Sequence, residues 1–388
     1  MRLIHTADWH LGKLVQGVYM TEDQAFILDQ FIKAVEKESP DAVIIAGDLY
    51  DRAVPPVEAV DLLDKTLDRI INQLGIPVLA IAGNHDSPGR LHFGSRLMKE
   101  KGYHIIGQLS DRLNPVVLSD EFGEVHFHLI PYADPSVVKA LFQEEDIRNH
   151  QEANAYLVNR IKKNLDEDAR HVYIGHAFVT PFGEIEENTS DSERPLSIGG
   201  AEHVDAHLFK DFHYTALGHL HQAHHVLDKK IRYSGSILKY SLSEEHHQKG
   251  YLVVELDEKG DIQVEKKKLS PKREMRSLKM KMEDIYKQPR SEDYVFVQLL
   301  DELPILSPME KVRSIFPNAM HVERIRTISG INNSKENQAP KTSLSEMELF
   351  DAFYQEVTDK KASEEMNEIM KELFQEIQDV SSERKTSK

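Results

Sequence analysis

Where the apolar runs of this chain stop, side chains with metal-binding or proton-transfer chemistry begin. Asp8 and His10 follow "RLIHTA", Asp48 follows "AVIIAG", and Asn84 and His85 follow "VLAIAG". His176 follows "VYIG", and His219 and His221 follow "TALG". Each cluster alone fits an ordinary turn, because turns collect polar residues. In series, each just past a run of strand length, they fit one shared site better than five unrelated turns. Open α/β sheets bind ligands at the carboxyl ends of their strands. Glycine precedes Asp48, Asn84, His176 and His219, and is expected to let the backbone turn sharply and bring the side chains to one point.

Oxygen and imidazole donors without thiolate suit manganese, iron or zinc better than copper. The set holds enough donors for two ions, with Asp48 as the natural bridging carboxylate. A two-metal pair can neutralise both oxygens of an in-line displacement at phosphorus. His85 would then be free of the metals, to protonate a leaving alkoxide as general acid or to steady the charged transition state. Asp86 next to it either orients His85 or serves the loop structurally.

These donors need strands to carry them. "RLIHTAD", "DAVIIAGD" and "IPVLAIAG" read as strands, separated by "TEDQAFILDQFIKAVEKE" and "PPVEAVDLLDKTLDRIINQLG" as amphipathic helices. Thr21 and Gln24 have the spacing of a capping box, and Pro55 and Pro56 open the second helix. Further strands are expected at "EVHFHLIPY", "HVYIGHAF", "FHYTALGHLH", "IRYSGS", "GYLVVELD" and "DIQVEKKKL". The close spacing of the later ones implies a partly antiparallel arrangement, and the whole is expected to be an α/β fold, a β-sandwich flanked by helices. Residues 1–269 form this domain. Composition shifts near Ser270, and residues 270–328 are expected to be a small α/β unit of three strands with a helix at "SPMEKVRSIF", capped by a Ser307–Glu310 box. Residues 329–343 read as a flexible linker. Residues 344–381 carry two amphipathic helices with Leu349, Phe350, Phe353 and Tyr354 on one face, and Met366, Ile369, Leu373 and Ile377 on the other helix. They either dock on a partner's helices or fold back on the main domain.

The chain has 388 residues with 48 basic against 65 acidic side chains, a net charge of -17. That balance argues against a basic coat for nucleic acid, but leaves room for metal ions to supply positive charge locally. Absence of cysteine excludes disulfides, thiolate metal sites and a Cys nucleophile. No leader and no stretch long enough to span a bilayer is evident, so a cytoplasmic protein with no membrane role is expected. Of the 20 histidines, His126 and His128 share a strand face and fit a structural role. His224, His225, His246 and His247 sit in polar stretches and are expected to be solvated.

The series "DWHLG", "GDLYD", "GNHD", "GHAF" and "GHLH" resembles the calcineurin-like metallophosphoesterases. The longer strings "IHTADWHLGK" and "IAGNHDSPGRL" are similar to the double-strand-break-repair nuclease branch of that family. The resemblance implies a small capping domain and a C-terminal helix pair after the phosphoesterase domain. It implies that Asp8, His10, Asp48 and His221 hold one metal, that Asp48, Asn84, His176 and His219 hold the other, and that His85 is catalytic. It further implies two Mn2+ ions, with Mg2+ or another divalent metal as substitutes. The implied activities are 3′-to-5′ exonuclease on duplex DNA and endonuclease on hairpins and single strands. The implied partners are DNA and a coiled-coil ATPase of the SbcC type bound by the C-terminal helices. A homodimer within a heterotetramer is implied as well. Archaeal and eukaryotic members of the branch often carry a histidine three residues after the bridging aspartate; here that residue is Asp51. Lys13, Arg52, Arg90 and Arg194 lie in loops near the motifs and are candidate contacts to DNA phosphates, against ordinary solvated charge. The rival readings are a small-molecule or cyclic-nucleotide phosphodiesterase with the same metal core, and a non-catalytic scaffold.

Overall fold

The computed structural model describes residues 1–182, 189–193 and 202–325, and beyond them residues 347, 350, 351, 354, 355, 361–371, 373 and 374. The chain divides into two compact units: Met1–Leu299 with Ile305–Glu323, and Leu300–Pro304 with Arg324–Lys388.

Four strands of the main sheets come first: β1 (Arg2–Thr6), β2 (Ala42–Ile45), β3 (Val78–Ile81) and β4 (Tyr103–Ile106). Six more strands of the main sheets follow: β5 (Val116–Asp120), β6 (Gly123–Ile130), β7 (Arg170–His176), β8 (Tyr214–Gly218), β9 (His224–Val226) and β10 (Asp228–Tyr233). β11 (Gly250–Leu256) and β12 (Ile262–Lys268) complete two six-stranded sheets, ordered β12-β11-β1-β2-β3-β4 and β9-β10-β8-β7-β6-β5. Each sheet has a parallel centre: β1, β2, β3 and β4 in the first, β6, β7, β8 and β10 in the second. The antiparallel pairs lie outside these blocks, β11 and β12 among them as their close spacing implied.

The alternation of side chains along each strand explains the layers. Leu3, Ile44, Leu79 and Ile81 of the first sheet share one buried core with Phe127, Val172, Ile174, Tyr214 and Ala216 of the second. Ile4, Val43, Ile45, Val78 and Ala80 point the other way, into a core with helices α1 (Thr21–Glu38) and α2 (Val57–Asp68). Tyr173, Leu217, Ile231 and Tyr233 likewise meet α3 (Pro135–Phe142) and α4 (His150–Lys162). The result is a β-sandwich flanked by helices, as the apolar runs imply.

Two capping boxes expected from spacing do not form. Met20, not a side-chain cap, precedes α1, and Gln24 turns inward instead. Ser307 has a left-handed backbone and no cap bond before α5 (Pro308–Arg313). At Gln24 a tertiary constraint overrides the local motif, since its side chain bonds the Gly12 N–H and the carbonyls of Trp9 and His10.

Strands β13 (Met275–Met280), β14 (Tyr294–Leu299) and β15 (Ala319–Arg324) form a small sheet of order β13-β14-β15. One face builds its own core from Leu278, Ile285, Val295, Val297, Val312 and Phe316. From the other, Met275, Tyr294, Phe296 and Met320 join the core beneath α1. Asp23, buried in α1, ties the two together: its Oδ2 accepts from Arg273 Nη1 at 2.8 Å and from Tyr294 Oη at 2.7 Å. In the second unit residues 364–371 are helical, with the Met366 N–H donating to Ser363 Oγ at 3.3 Å. The linker and most of the first C-terminal helix candidate lie outside the described residues.

Asp23→Asn takes the charge away from Arg273 and is expected to lower the stability of the first unit by roughly 1.5–3 kcal/mol, the range for hydrogen bonds to charged groups. Glu22→Gln, which removes an exposed partner of Arg273 and Lys272, should leave the unfolding midpoint in place. Urea titration of both variants checks this; equal midpoints would refute the assignment.

Candidate metal centre

The parallel centres of both sheets point their carboxyl ends to one edge of the sandwich. There the loops after β1, β2 and β3 meet the ends of β7 and β8. The loop after β1 stays paired with the loop after β2: Asp8 N–H donates to Gly47 O at 3.1 Å and His10 N–H to Asp48 O at 3.0 Å. Across the sandwich, the His219 N–H donates to Asp8 Oδ1 at 3.0 Å.

Sharp turning at this edge is done by the candidate ligands themselves. Asp8, His10, Asp48 and His219 all have positive φ, at 55°, 46°, 52° and 108°, a conformation that costs a non-glycine residue about 1–3 kcal/mol. The glycines before the motifs serve a different purpose from the one their position suggests. Only Gly47 has a positive φ, 93°. The others provide room: a Cβ on Gly83 would lie 2.1 Å from Asp48 Oδ1, one on Gly175 2.6 Å from the Tyr173 ring, and one on Gly218 1.9 Å from Ala46 O.

The side chains converge. His10 Nε2 and His221 Nε2 are 3.0 Å apart. Asp48 Oδ2 stands 3.6 Å from His10 Nε2 and 3.5 Å from His176 Nε2, and Asn84 Oδ1 is 2.9 Å from His176 Nε2. Two groupings of possible ligands share Asp8: Asp8 with His10 and His221, and Asp8 with Asp48 and His176. The ring of His219 packs against those of His176 and Phe178, with centroids 5.5 and 5.9 Å away. His85 lies beside the cluster, its ring edge-on to His10 at 4.7 Å. Its N–H donates to Asp48 Oδ1 at 2.9 Å, and its Nδ1 donates to Asp51 O at 2.8 Å.

Orientation comes from partners behind the donors. His176 Nδ1 donates to Ala46 O at 2.9 Å, and His221 Nδ1 lies 3.0 Å from Glu244 Oε1. Both rings therefore present Nε2 inward. Gln24 bonds the Gly12 N–H and the carbonyls of Trp9 and His10, and Tyr240 also donates to the Trp9 carbonyl. Asp86 accepts from the N–H groups of Leu49, Tyr50 and Gly83 at 3.1, 2.9 and 2.9 Å. Of its two readings this is the structural one, since the carbonyl of Asp51 orients His85. Sequence alone does not mark Gln24, Tyr240, Asp51 or Glu244 as site residues: Gln24 follows three polar residues, Thr21, Glu22 and Asp23, and nothing local marks Glu244.

Burial works against every charge here. It pushes the Asp8 carboxyl up to about 7, against the pull of His176 and His221, and keeps His10 and His219 well below the usual imidazole range. Asp48 goes the other way: burial would raise it, but His176, His10 and His85 together hold it far below the carboxylate range. His176 is raised to about 9, because the Asp48 carboxylate outweighs burial.

The residues fit divalent cations. Asp8 Oδ2 is buried with no hydrogen-bond partner, two imidazole nitrogens face each other, and all donors are oxygen or imidazole nitrogen. Among the candidate DNA contacts, Lys13 is held by Asp51, Nζ to Oδ1 2.8 Å. Arg52 and Arg90 are exposed, and Arg194 lies outside the described residues. His128 is buried against His171, Nε2 to Nδ1 3.1 Å, and His126 pairs with Glu124. His247, expected to be solvated, is half-buried beside Lys249.

Two family models match the chain: calcineurin-like phosphoesterase over residues 1–223, and Type 5 capsule protein repressor C-terminal domain over residues 271–358. The chain is 34% identical over 388 residues to the SbcD subunit of the SbcCD nuclease of Staphylococcus epidermidis, covering 98% of this chain and 99% of the relative. Among solved structures, it is similar to TT1561 of Thermus thermophilus with a TM-score of 0.39 and 13% identity, over 68% of this chain and 98% of that one. It is also similar to a dimetal phosphatase from Danio rerio with a TM-score of 0.37 and 12% identity, over 66% and 92%.

A cation taking the place between Asp48 and His176 must displace the proton on His176 Nε2. Divalent-metal affinity is therefore expected to rise with pH up to about 9 and to level off above. Conversely, the His176–Asp48 pair stabilises the metal-free protein fully below about 6.5, and this contribution is lost as pH rises through about 9. Calorimetry of Mn2+ binding near neutral pH, in buffers of different ionisation enthalpy, should show proton release. Heats independent of the buffer would contradict it.

Proposed function

The chain belongs to the calcineurin-like phosphoesterases and, within them, to the SbcD nucleases, and on that premise we propose that it hydrolyses DNA phosphodiesters as the nuclease component of an ATP-dependent complex. The observation that carries this reading is the convergence of Asp8, His10, Asp48, Asn84, His176, His219 and His221 on one sandwich edge with His85 beside them. Two divalent cations, Mn2+ in the first instance, would supply Lewis acidity at the scissile phosphate and an acidified water.

In that reading Asp8, His10, Asp48 and His221 hold one cation, and Asp48, Asn84, His176 and His219 the other. His85 stays outside the ligand set. Its Nδ1 is committed to the Asp51 carbonyl, so Nε2 is the atom that can deliver a proton to the leaving alkoxide or bond a phosphoryl oxygen. Asp51 occupies the position where relatives often carry a second histidine, and here it pairs with Lys13, so His85 works without that helper. Arg52, Arg90 and Arg194 would contact phosphates and position the strand without reading its sequence, while Lys13, the fourth candidate, is already paired with Asp51.

The partner is a coiled-coil ATPase of the SbcC type. Met366, Ile369 and Leu373 expose an apolar stripe at helical spacing, suited to a partner's helices. Val57 and Val60 on α2, and Phe93 and Leu97 in the segment between β3 and β4, are exposed apolar side chains, available to a homodimer within a heterotetramer. The proposed activities are 3′-to-5′ exonuclease on duplex DNA and endonuclease on hairpins and single strands, in the cytoplasm. Among the described residues no helix is long and apolar enough to cross a membrane.

Mn2+-dependent cleavage of a DNA hairpin, with and without the partner ATPase and ATP, tests the proposal. Cleavage should require the partner, and His85→Ala should slow it by about 10²–10⁴-fold while metal content is retained. Removing the residues after Asn333 should abolish partner-dependent cleavage only. If hairpins stay intact under every condition while a simple phosphodiester is hydrolysed, the small-molecule phosphodiesterase replaces the nuclease.

A further inference from the structure

The two cation positions of the proposed centre are backed differently. His176 Nδ1 donates to a neutral backbone carbonyl, Ala46 O, at 2.9 Å. His221 Nδ1 faces a carboxylate, Glu244 Oε1, at 3.0 Å, and Ser192 Oγ at 2.9 Å. His10, the other imidazole of that position, has Asp51 Oδ1 3.7 Å from its Nδ1. Glu244 is fully buried and is itself held in place. Lys249 forms an ion pair with its other oxygen, and Ser192 donates to Oε1. Lys249 Nζ also donates to His221 O at 2.8 Å and to Ser236 Oγ at 2.7 Å. The His221 N–H in turn donates to Glu193 Oε1 at 2.7 Å. His221 is thus fixed at ring nitrogen, amide and carbonyl by a network outside the donor set.

We propose that Glu244 is a positioning residue: by fixing the tautomer and pose of His221 it makes the Asp8–His10–His221 position the tighter of the two cation positions. The inference rests on the two-cation reading above. A carboxylate behind a ligating imidazole strengthens the donor nitrogen more than a neutral carbonyl does, and loss of such a partner typically weakens metal affinity about 10–100-fold. Lys249 holds the other oxygen of Glu244, which leaves Oε1 to accept from His221 Nδ1 and to strengthen its Nε2 as a donor.

The test is calorimetric titration of the full-length protein with Mn2+ alone, with no DNA present. His221→Ala and His176→Ala assign the two binding events in the wild type. The expected result is that the His221-dependent event is the tighter one, and that Glu244→Gln weakens it about 10–100-fold while the His176-dependent event keeps its affinity. If Glu244→Gln alone unfolds, the double variant Glu244→Gln/Lys249→Met removes both buried charges together, a change that buried pairs tolerate better than loss of one partner, and carries the same readout. Equal weakening of both events, no weakening of either, or a tighter His176-dependent event overturns the proposal. A wild type that binds a single Mn2+ overturns the two-cation reading itself, and the proposal with it.

Discussion

Everything at the sandwich edge depends on keeping one buried carboxylate charged. Asp48 is 2% exposed, and an unpaired ion in that position would cost several kcal/mol in desolvation. Its compensation comes from the other sheet and from the loop after β3: His176 at the end of β7, held protonated near neutral pH, stands 3.5 Å from Oδ2, and the His85 backbone N–H donates to Oδ1 at 2.9 Å. The interaction exists only when the two sheets are stacked with their parallel blocks pointing the same way. The apolar layer between them, with Ile44, Leu79 and Ile81 against Phe127, Val172 and Ile174, supplies the driving force, at roughly 1.5–3 kcal/mol per fully buried side chain. Fold and site are therefore one problem: the core aligns the sheets, and the alignment makes the charge tolerable.

The same layer sustains strain. Four residues of the donor set sit in left-handed backbone, a conformation that the local sequence would not choose. Backbone bonds from Asp8 and His10 to the loop after β2, and the side-chain bonds of Gln24 and Asp86, hold these turns from both sides. Such over-determination lets a strained constellation persist, and it gives a physical reason for so many buried polar side chains around the centre that would not themselves touch a cation.

Sequence patterning reached as far as local chemistry reaches. Alternating and continuous apolar runs located the central strands, and the 3.6-residue period placed α1 over the same residues that the structure shows. The donors were visible because each stands where an apolar run ends. Gln24 shows the opposite case: its spacing from Thr21 is a local signal that fits a capping box, whereas its partners at Trp9 and His10 are set by how α1 packs. The glycines show the same limit. Their position beside each motif was evident, but their purpose depends on approaches such as Gly218 to Ala46, which belong to different sheets. Glu244 lies 23 positions from His221 in a polar stretch with no periodicity to single it out, so its role could emerge only from the folded chain.

The chain's negative balance takes on meaning from this arrangement. Two of its lysines nearest the centre, Lys13 and Lys249, are paired with Asp51 and Glu244, the carboxylates behind His10 and His221. Their charge is committed to those carboxylates and is largely unavailable to a polyanionic substrate. In the proposed nuclease reading, the attraction for a phosphodiester would come from cations in the centre, from exposed arginines such as Arg52 and Arg90, and from the surface of a partner. Binding through cations held at the reacting phosphate couples affinity to catalytic competence: a centre without its cations would repel the substrate as well as fail to cleave it. A strongly acidic nuclease is then physically consistent, because its specificity for a complete centre follows from the charge that surrounds it.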